Sequence, residues 1–190
     1  MASPRETNLA AYTDSQAQNE NSRASQLYSD LDLFFGTKAA SKDISKVNDI
    51  QITAGAQDFR FIGGSFGAAS GEAFIYSVQH AINNKNPLVF FSCSGGQRMM
   101  ESSIALMQMS RTVLAVNELK KHNLPYIVIL TNPTTGGVSA SWALLGDVLV
   151  AEPKATIAFA GKRVIQDTVR ETLPEEFQTA EYVKDHGGID

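Results

Sequence analysis

The chain has 190 residues, of which 43% are hydrophobic and 19% charged, the balance of a globular protein long enough to bury a sizeable core in one domain. A formal net charge of −4 gives no electrostatic reason to expect nucleic acid as a partner. The single cysteine, Cys93, excludes an internal disulfide and a zinc site of four cysteines, and no apolar run reaches the ~18 residues of a membrane span.

Residues 1–26 are polar and patternless, with only Leu9 and Tyr12 as bulky apolar groups, and are expected to form a mobile tail that cannot offset its ordering entropy. The tail lacks the basic-then-apolar pattern of a signal peptide. Residues 27–49 read as a docking segment, Leu27 to Phe35, followed by polar linker. From Ile50 the pattern becomes structured. Ile50, Ile52 and Ala54, then Phe59, Phe61 and Ile62, predict two short strands broken near Gly55 and ended by Gly63-Gly64. A helix follows over 70–84, with Ala73, Phe74, Val78, Ala81 and Ile82 on one face, and Asn83 to Pro87 stops it.

The strand Leu88 to Cys93 leads through Ser94-Gly95-Gly96 into a long helix over 97–122, with Lys120, Lys121 and His122 at its negative end. Met99, Met100, Met107 and Met109 lie in its first half and are expected to pack in the core or, for some, to line an acyl or cofactor groove. The strand Tyr126 to Leu130 and Gly136-Gly137 repeat the unit of strand, Gly-Gly and helix, the third helix running over 138–145. Val148 to Ala151 and Thr156 to Ala160 read as short strands, and helices are expected over 163–171 and 175–185. Apolar strands alternating with helices predict an α/β fold with a mainly parallel sheet.

The two Gly-Gly turns carry the chemistry. Each follows a buried strand and opens a helix, so both emerge at one sheet edge, where backbone N–H groups can converge on one oxygen. An oxyanion developing on an acyl or thioester carbonyl suits such donors. The alternative is that paired glycines only permit tight turns. Ser139 and Ser141 stand where a nucleophile could sit, but His80, His122 and His186 are not placed to activate them, and helix capping is the simpler role. No His or Cys pair has metal-ligand spacing, and Gly63 to Gly71 matches no phosphate-binding motif. Cys93 reads as a small buried residue, and Arg98 as either a phosphate contact or a surface ion pair.

The segments Asp58-Phe-Arg-Phe-Ile-Gly-Gly-Ser-Phe-Gly67, Ser94-Gly-Gly-Gln-Arg-Met99, Ser103-Ile-Ala-Leu-Met-Gln-Met109, Pro133-Thr-Thr-Gly-Gly-Val-Ser-Ala-Ser141 and Ala158-Phe-Ala-Gly-Lys-Arg-Val-Ile165 closely resemble the carboxyltransferase beta subunit of acetyl-CoA carboxylase. The resemblance runs in unbroken order from about Ile50 to Asp190. It implies a crotonase-like (ClpP/crotonase) spiral of β-β-α units over 50–190. It also implies transfer of a carboxyl group from carboxybiotin, presented by a biotin carboxyl carrier protein, to acetyl-CoA, giving malonyl-CoA for fatty acid biosynthesis.

By the same resemblance the partner is a carboxyltransferase alpha subunit in a hetero-oligomer of alpha2beta2 type, and the setting is the cytoplasm of a bacterium or, alternatively, a plastid stroma. Gly136 and Gly137 are then the backbone donors to the enolate oxygen. Gly95 and Gly96 are secondary oxyanion or substrate-binding candidates, and Arg98 is a candidate for CoA binding. Decarboxylated biotin serves as the base. No zinc is expected in this chain, which lacks the two Cys pairs of the family's N-terminal ribbon; it also ends where family members continue. A serine peptidase of the Clp protease fold using Ser139 or Ser141, and a non-catalytic scaffold subunit of the same fold, are the alternative readings.

Overall fold

The computed structural model describes residues 45–47, 49–170 and 172–190. The tail expected over 1–26 and most of the docking segment and linker over 27–49 therefore lie outside the described residues. Within that linker stretch, Ser45–Val47 forms a strand, β1. It pairs antiparallel with β2, Ile50–Ala56, which in turn begins a parallel run with β3, Leu88–Ser94, β4, Tyr126–Thr134, and β5, Val148–Ala151. Spatial order follows chain order across the five strands. Parallel neighbours need crossovers, supplied here by helix α1, Ala68–Asn84, between β2 and β3, and by helix α2, Ser102–Lys121, between β3 and β4.

Side-chain alternation along the strands divides the apolar residues between two faces. Leu88 and Phe90 of β3 and Tyr126, Val128 and Leu130 of β4 enter the main core with Phe74, Val78 and Ala81 of α1 and Val116 and Leu119 of α2. Phe91, one residue out of phase, joins Ile52, Ala54 and Ala56 on the opposite face. Trp142 lies at the centre of the main core. It is fully buried, with ring centroids 4.8 Å from both Phe74 and Phe90 and 5.8 Å from Phe66. Gly55 does not break β2, because the Phe90 ring covers it at the place a Cβ would occupy.

Local hydrogen bonds account for the differences from the sequence reading. The strand expected over Phe59 to Ile62 is a turn and a short 3-10 segment, Ile62–Gly64. Asp58 causes this by accepting the Arg60 N–H at 2.9 Å through its side chain and the Phe61 N–H at 3.2 Å through its carbonyl. The strand expected over Thr156 to Ala160 is reduced to single-residue bridges, Thr134 with Ile157 and Thr156 with Thr179. The third helix, α3, is one turn, Gly136–Ser139, followed by a 3-10 segment, Ala143–Leu145. Helix α4 covers Lys162–Val169, and α5 only Ala180–Asp185, starting where the Thr179 hydroxyl accepts the Tyr182 N–H at 3.2 Å.

Helix α2 begins five residues later than expected, after a 3-10 segment at Met99–Glu101. Its inward side is partly polar: Ala105, Gln108, Thr112, Val116 and Leu119 are buried. Its outward side carries Ile104, Leu106, Met107 and Leu114, all more than half exposed. Met99 at 89% and Met100 at 72% are more exposed still, so these two and Met107 are not the core filling the sequence suggested, whereas Met109 is half-buried with its Sδ 3.0 Å from where a Gly137 Cβ would stand. The reason is close approach to α1. Gly71 lies against the Gln108 carboxamide, leaving room for a flat polar group and none for a branched apolar one.

Candidate active site

Both Gly-Gly turns leave the sheet at the carboxyl ends of β3 and β4, the edge at which ligands bind in parallel sheets. They touch each other: a Cβ on Gly136 would stand 2.9 Å from the Gly96 Cα. Gly96 (φ +110°) and Gly136 (φ +65°) hold left-handed backbone that other residues adopt at a cost. Segment 94–97 lies between two others. On one side Gly95 N–H donates to Gly63 O at 2.9 Å and Phe66 N–H to Gly96 O at 2.8 Å; on the other Thr135 N–H donates to Ser94 O at 2.9 Å.

These bonds decide which amides are available. Gly95 N–H is taken by Gly63, Gly96 N–H by the Ser94 hydroxyl at 3.0 Å, and Gly136 N–H by the carbonyls of Ala158 and Phe159, both at 3.1 Å. Of the four glycines singled out by sequence, only Gly137 keeps an uncommitted N–H among the described residues. Two neighbours that the sequence reading missed share that property, Val138 and Gln97. Gly137 and Val138 are both buried, and buried amides without a partner are rare in folded proteins.

Geometry orients the third amide. A trans peptide points its N–H opposite its C=O, and the Gly96 carbonyl is bonded to Phe66, so the Gln97 N–H faces away from Phe66, toward segment 134–137. The sequence signal for Gln97 would have been its place directly after the paired glycines. Because α3 is a single turn, the individual amides, rather than a helix macrodipole, supply the positive potential.

Other candidates fall away from the chemistry. The Ser139 hydroxyl donates to Ala158 O at 2.6 Å and Gly136 O at 2.8 Å, and the Ser141 hydroxyl to Gly137 O at 2.6 Å. Both serines are 3% exposed, and the histidines are bonded elsewhere: His80 to Thr53, His122 to Glu118 and His186 to Tyr182. A serine nucleophile is thus contradicted, since both hydroxyls are spent on backbone carbonyls and neither has a base among the described residues. Arg98 is engaged within the chain. Its guanidinium bonds Ser65 O at 2.9 Å, Ser65 Oγ at 3.1 Å and the Glu101 carboxylate at 2.8 Å, and it stands 5.5 Å from the Phe61 ring centroid.

Glu101 also accepts the Ala68 N–H at 2.6 Å. That bond, with Arg98 as the smaller contributor, holds its carboxyl below the usual carboxylate range. No group of three or more His, Cys, Asp or Glu able to hold a metal occurs among the described residues.

Cys93 is a small buried residue, 5% exposed, with its Sγ 3.4 Å from Asn132 O. Burial pushes its thiol up to about 11, so the nucleophilic thiolate is scarce at neutral pH. The native chain at pH 8 is expected to leave a disulfide reagent such as DTNB unconsumed over minutes, and the urea-unfolded chain to react at one thiol. Fast labelling of the folded chain would contradict the burial.

Residues 42–187 match the model of the carboxyl transferase domain. The chain belongs to that family. This carboxyl transferase domain is 62% identical over 146 residues to the acetyl-coenzyme A carboxylase carboxyl transferase subunit beta of Pelagibacter ubique, a match that covers 77% of the chain and 47% of the relative. With the subunit of the same name from Sinorhizobium medicae it shares 54% identity over 173 residues, covering 88% of the chain and 57% of the relative. The chain thus spans about half the length of the curated relatives it matches.

Among solved structures, transcarboxylase 12S with methylmalonyl-coenzyme A bound superposes with a TM-score of 0.66 at 28% identity, over 72% of this domain and 26% of that chain. A Pseudomonas malonate decarboxylase hetero-tetramer gives 0.66 at 20% identity, over 77% of this domain and 58% of that chain, a likeness of fold. The α/β crotonase-like fold expected from sequence is the one observed. The second strand of each unit is shortened to the bridges Phe66 with Gln97 and Thr134 with Ile157.

Proposed function

We propose that this carboxyl transferase domain acts in the carboxyltransferase half-reaction of acetyl-CoA carboxylase, converting acetyl-CoA to malonyl-CoA for fatty acid synthesis, in the cytoplasm of a bacterium. The observation that carries the reading is the uncommitted Gly137 N–H, held against a second glycine turn inside the family's own motif. Gly137 N–H donates to the thioester oxygen of acetyl-CoA and stabilises the negative charge that gathers there as the methyl group loses a proton. The Gln97 N–H, facing the same segment, is the candidate second donor. Gly136, Gly95 and Gly96 act by shaping the turns, because their own amides are occupied.

Among the described residues no His, Asp or Glu stands free beside the two turns, and Glu101 is committed to Ala68 and Arg98. The described residues therefore supply donors and no base, which fits a reaction whose base arrives with the second substrate. Carboxybiotin on a carrier protein supplies the carboxyl group and, once that group has left, the base. An alpha-type carboxyltransferase subunit completes the site and holds the biotin.

Reconstitution of the chain with a matched alpha subunit and a carrier whose biotin is kept carboxylated by biotin carboxylase, bicarbonate and MgATP tests this. Malonyl-CoA should form from acetyl-CoA only when all three are present. Stable assembly without product would instead support a scaffold role.

A further inference from the structure

We propose that Arg98 and Glu101 are positioning residues that hold the Gly95–Gln97 turn against Gly136 and Gly137. The inference rests on the carboxyltransferase reading of this site. Both residues lie on the connection from β3 to α2, and together they grip both ends of segment 65–68. Arg98 takes the Ser65 carbonyl and hydroxyl, and Glu101 takes the Ala68 N–H, the first amide of the 17-residue helix α1.

Between the two grips runs a main-chain pair, Phe66 N–H to Gly96 O and Arg98 N–H to Phe66 O, both at 2.8 Å. The Arg98–Glu101 ion pair at 2.8 Å closes the ring, with Arg98 only 11% exposed at its side chain. Glu101 stands in for the missing cap at Gly67, where its carboxylate fills the space a Cβ would need, 2.5 Å away.

The consequence reaches the site through one peptide. The Gly96–Gln97 peptide is oriented by its carbonyl bond to Phe66, and Phe66 is held in register by the grips on either side of it. Loosening either grip lets that peptide rotate, and with it the Gln97 N–H and the Gly96 surface that meets Gly136. Misplacement of a donor by about 1 Å costs on the order of 100-fold in rate.

The test measures malonyl-CoA formation in the reconstituted complex for wild type, Arg98→Lys, Glu101→Ala and the double variant, with urea unfolding of each chain. The expected result is a kcat lowered about 10- to 100-fold, a KM for acetyl-CoA within about threefold of wild type, and a double variant no worse than the poorer single one, because the pair acts as a unit. A folded variant with wild-type kcat, or with its whole defect in KM, would overturn the proposal. Should Arg98→Lys or Glu101→Ala fail to fold, Ser65→Ala, which removes one acceptor of Arg98, should lower kcat about threefold to tenfold; an unchanged kcat there overturns it equally. An inactive wild-type complex would instead count against the carboxyltransferase reading.

Discussion

Replacing Gly137 with valine is expected to lower malonyl-CoA formation in the reconstituted complex by about 100-fold or more while leaving the chain folded. A Cβ at position 137 would stand 2.5 Å from Gln97 Cγ, 2.8 Å from Gln97 Cδ and 3.0 Å from Met109 Sδ. These are side-chain atoms that can give way, and Gly137 does not hold left-handed backbone, so the fold tolerates the change. The site does not: valine keeps the backbone N–H, but its side chain crowds Gln97 on the facing turn and shifts the donors there, and misplacement by about 1 Å costs on the order of 100-fold in turnover. Gly136→Ala differs in kind. Its Cβ would meet the Gly96 backbone at 2.9 Å from a left-handed position, so lost activity there would come with lost stability.

Removing Trp142 is expected to have the largest effect on folding. Trp142→Ala should cost about 3–5 kcal/mol, a large share of the ~5–15 kcal/mol that holds a typical domain together. The indole fills the space between Phe66, Phe74 and Phe90, and Tyr126 anchors the same place by donating its hydroxyl to Trp142 O at 3.1 Å. The indole Nε1 is buried with no hydrogen-bond partner among the described residues. Trp142→Phe therefore loses packing but no hydrogen bond, and should cost less than half as much as the alanine variant. Urea unfolding followed by circular dichroism measures both, since Trp142 is the only tryptophan. A cost below about 1 kcal/mol for Trp142→Ala would show that the core collapses to fill the gap.

Features set by local periodicity were legible in the sequence. The apolar alternation of β3 and β4, the stripe Phe74, Val78 and Ala81 on α1, and the paired placement of the two glycine turns all appear in the structure. Features set by distant partners were not. Phe59 to Ile62 has strand composition but yields to the Asp58 turn. Ser139 and Ser141 read as helix caps or nucleophile candidates, and only the fold brings the Ala158 carbonyl to the Ser139 hydroxyl. Met99, Met100 and Met107 read as core or groove lining but are exposed, and across the helix pair Gly71 meets Gln108, a contact between residues 37 apart in sequence.

The site shows the same division. Sequence located both turns but could not tell which amide stays free. Gly63 and Ala158, far away in the chain, take the protons of Gly95 and Gly136. Only once those bonds are known does the uncommitted amide narrow to Gly137, with Gln97 beside it. Arg98 was legible as a charge near the turn. Its partners were not, because Ser65 and Glu101 reach it only through the fold.

The central claim is that the Gly137 amide holds the thioester oxygen of acetyl-CoA. The most direct measurement is a crystal structure of the reconstituted carboxyltransferase with malonyl-CoA or a nonreactive acetyl-CoA analogue bound. That oxygen is expected about 2.7–3.1 Å from the Gly137 nitrogen, on a line with its N–H. An acyl oxygen bound elsewhere, with the Gly137 N–H directed at solvent, would contradict it.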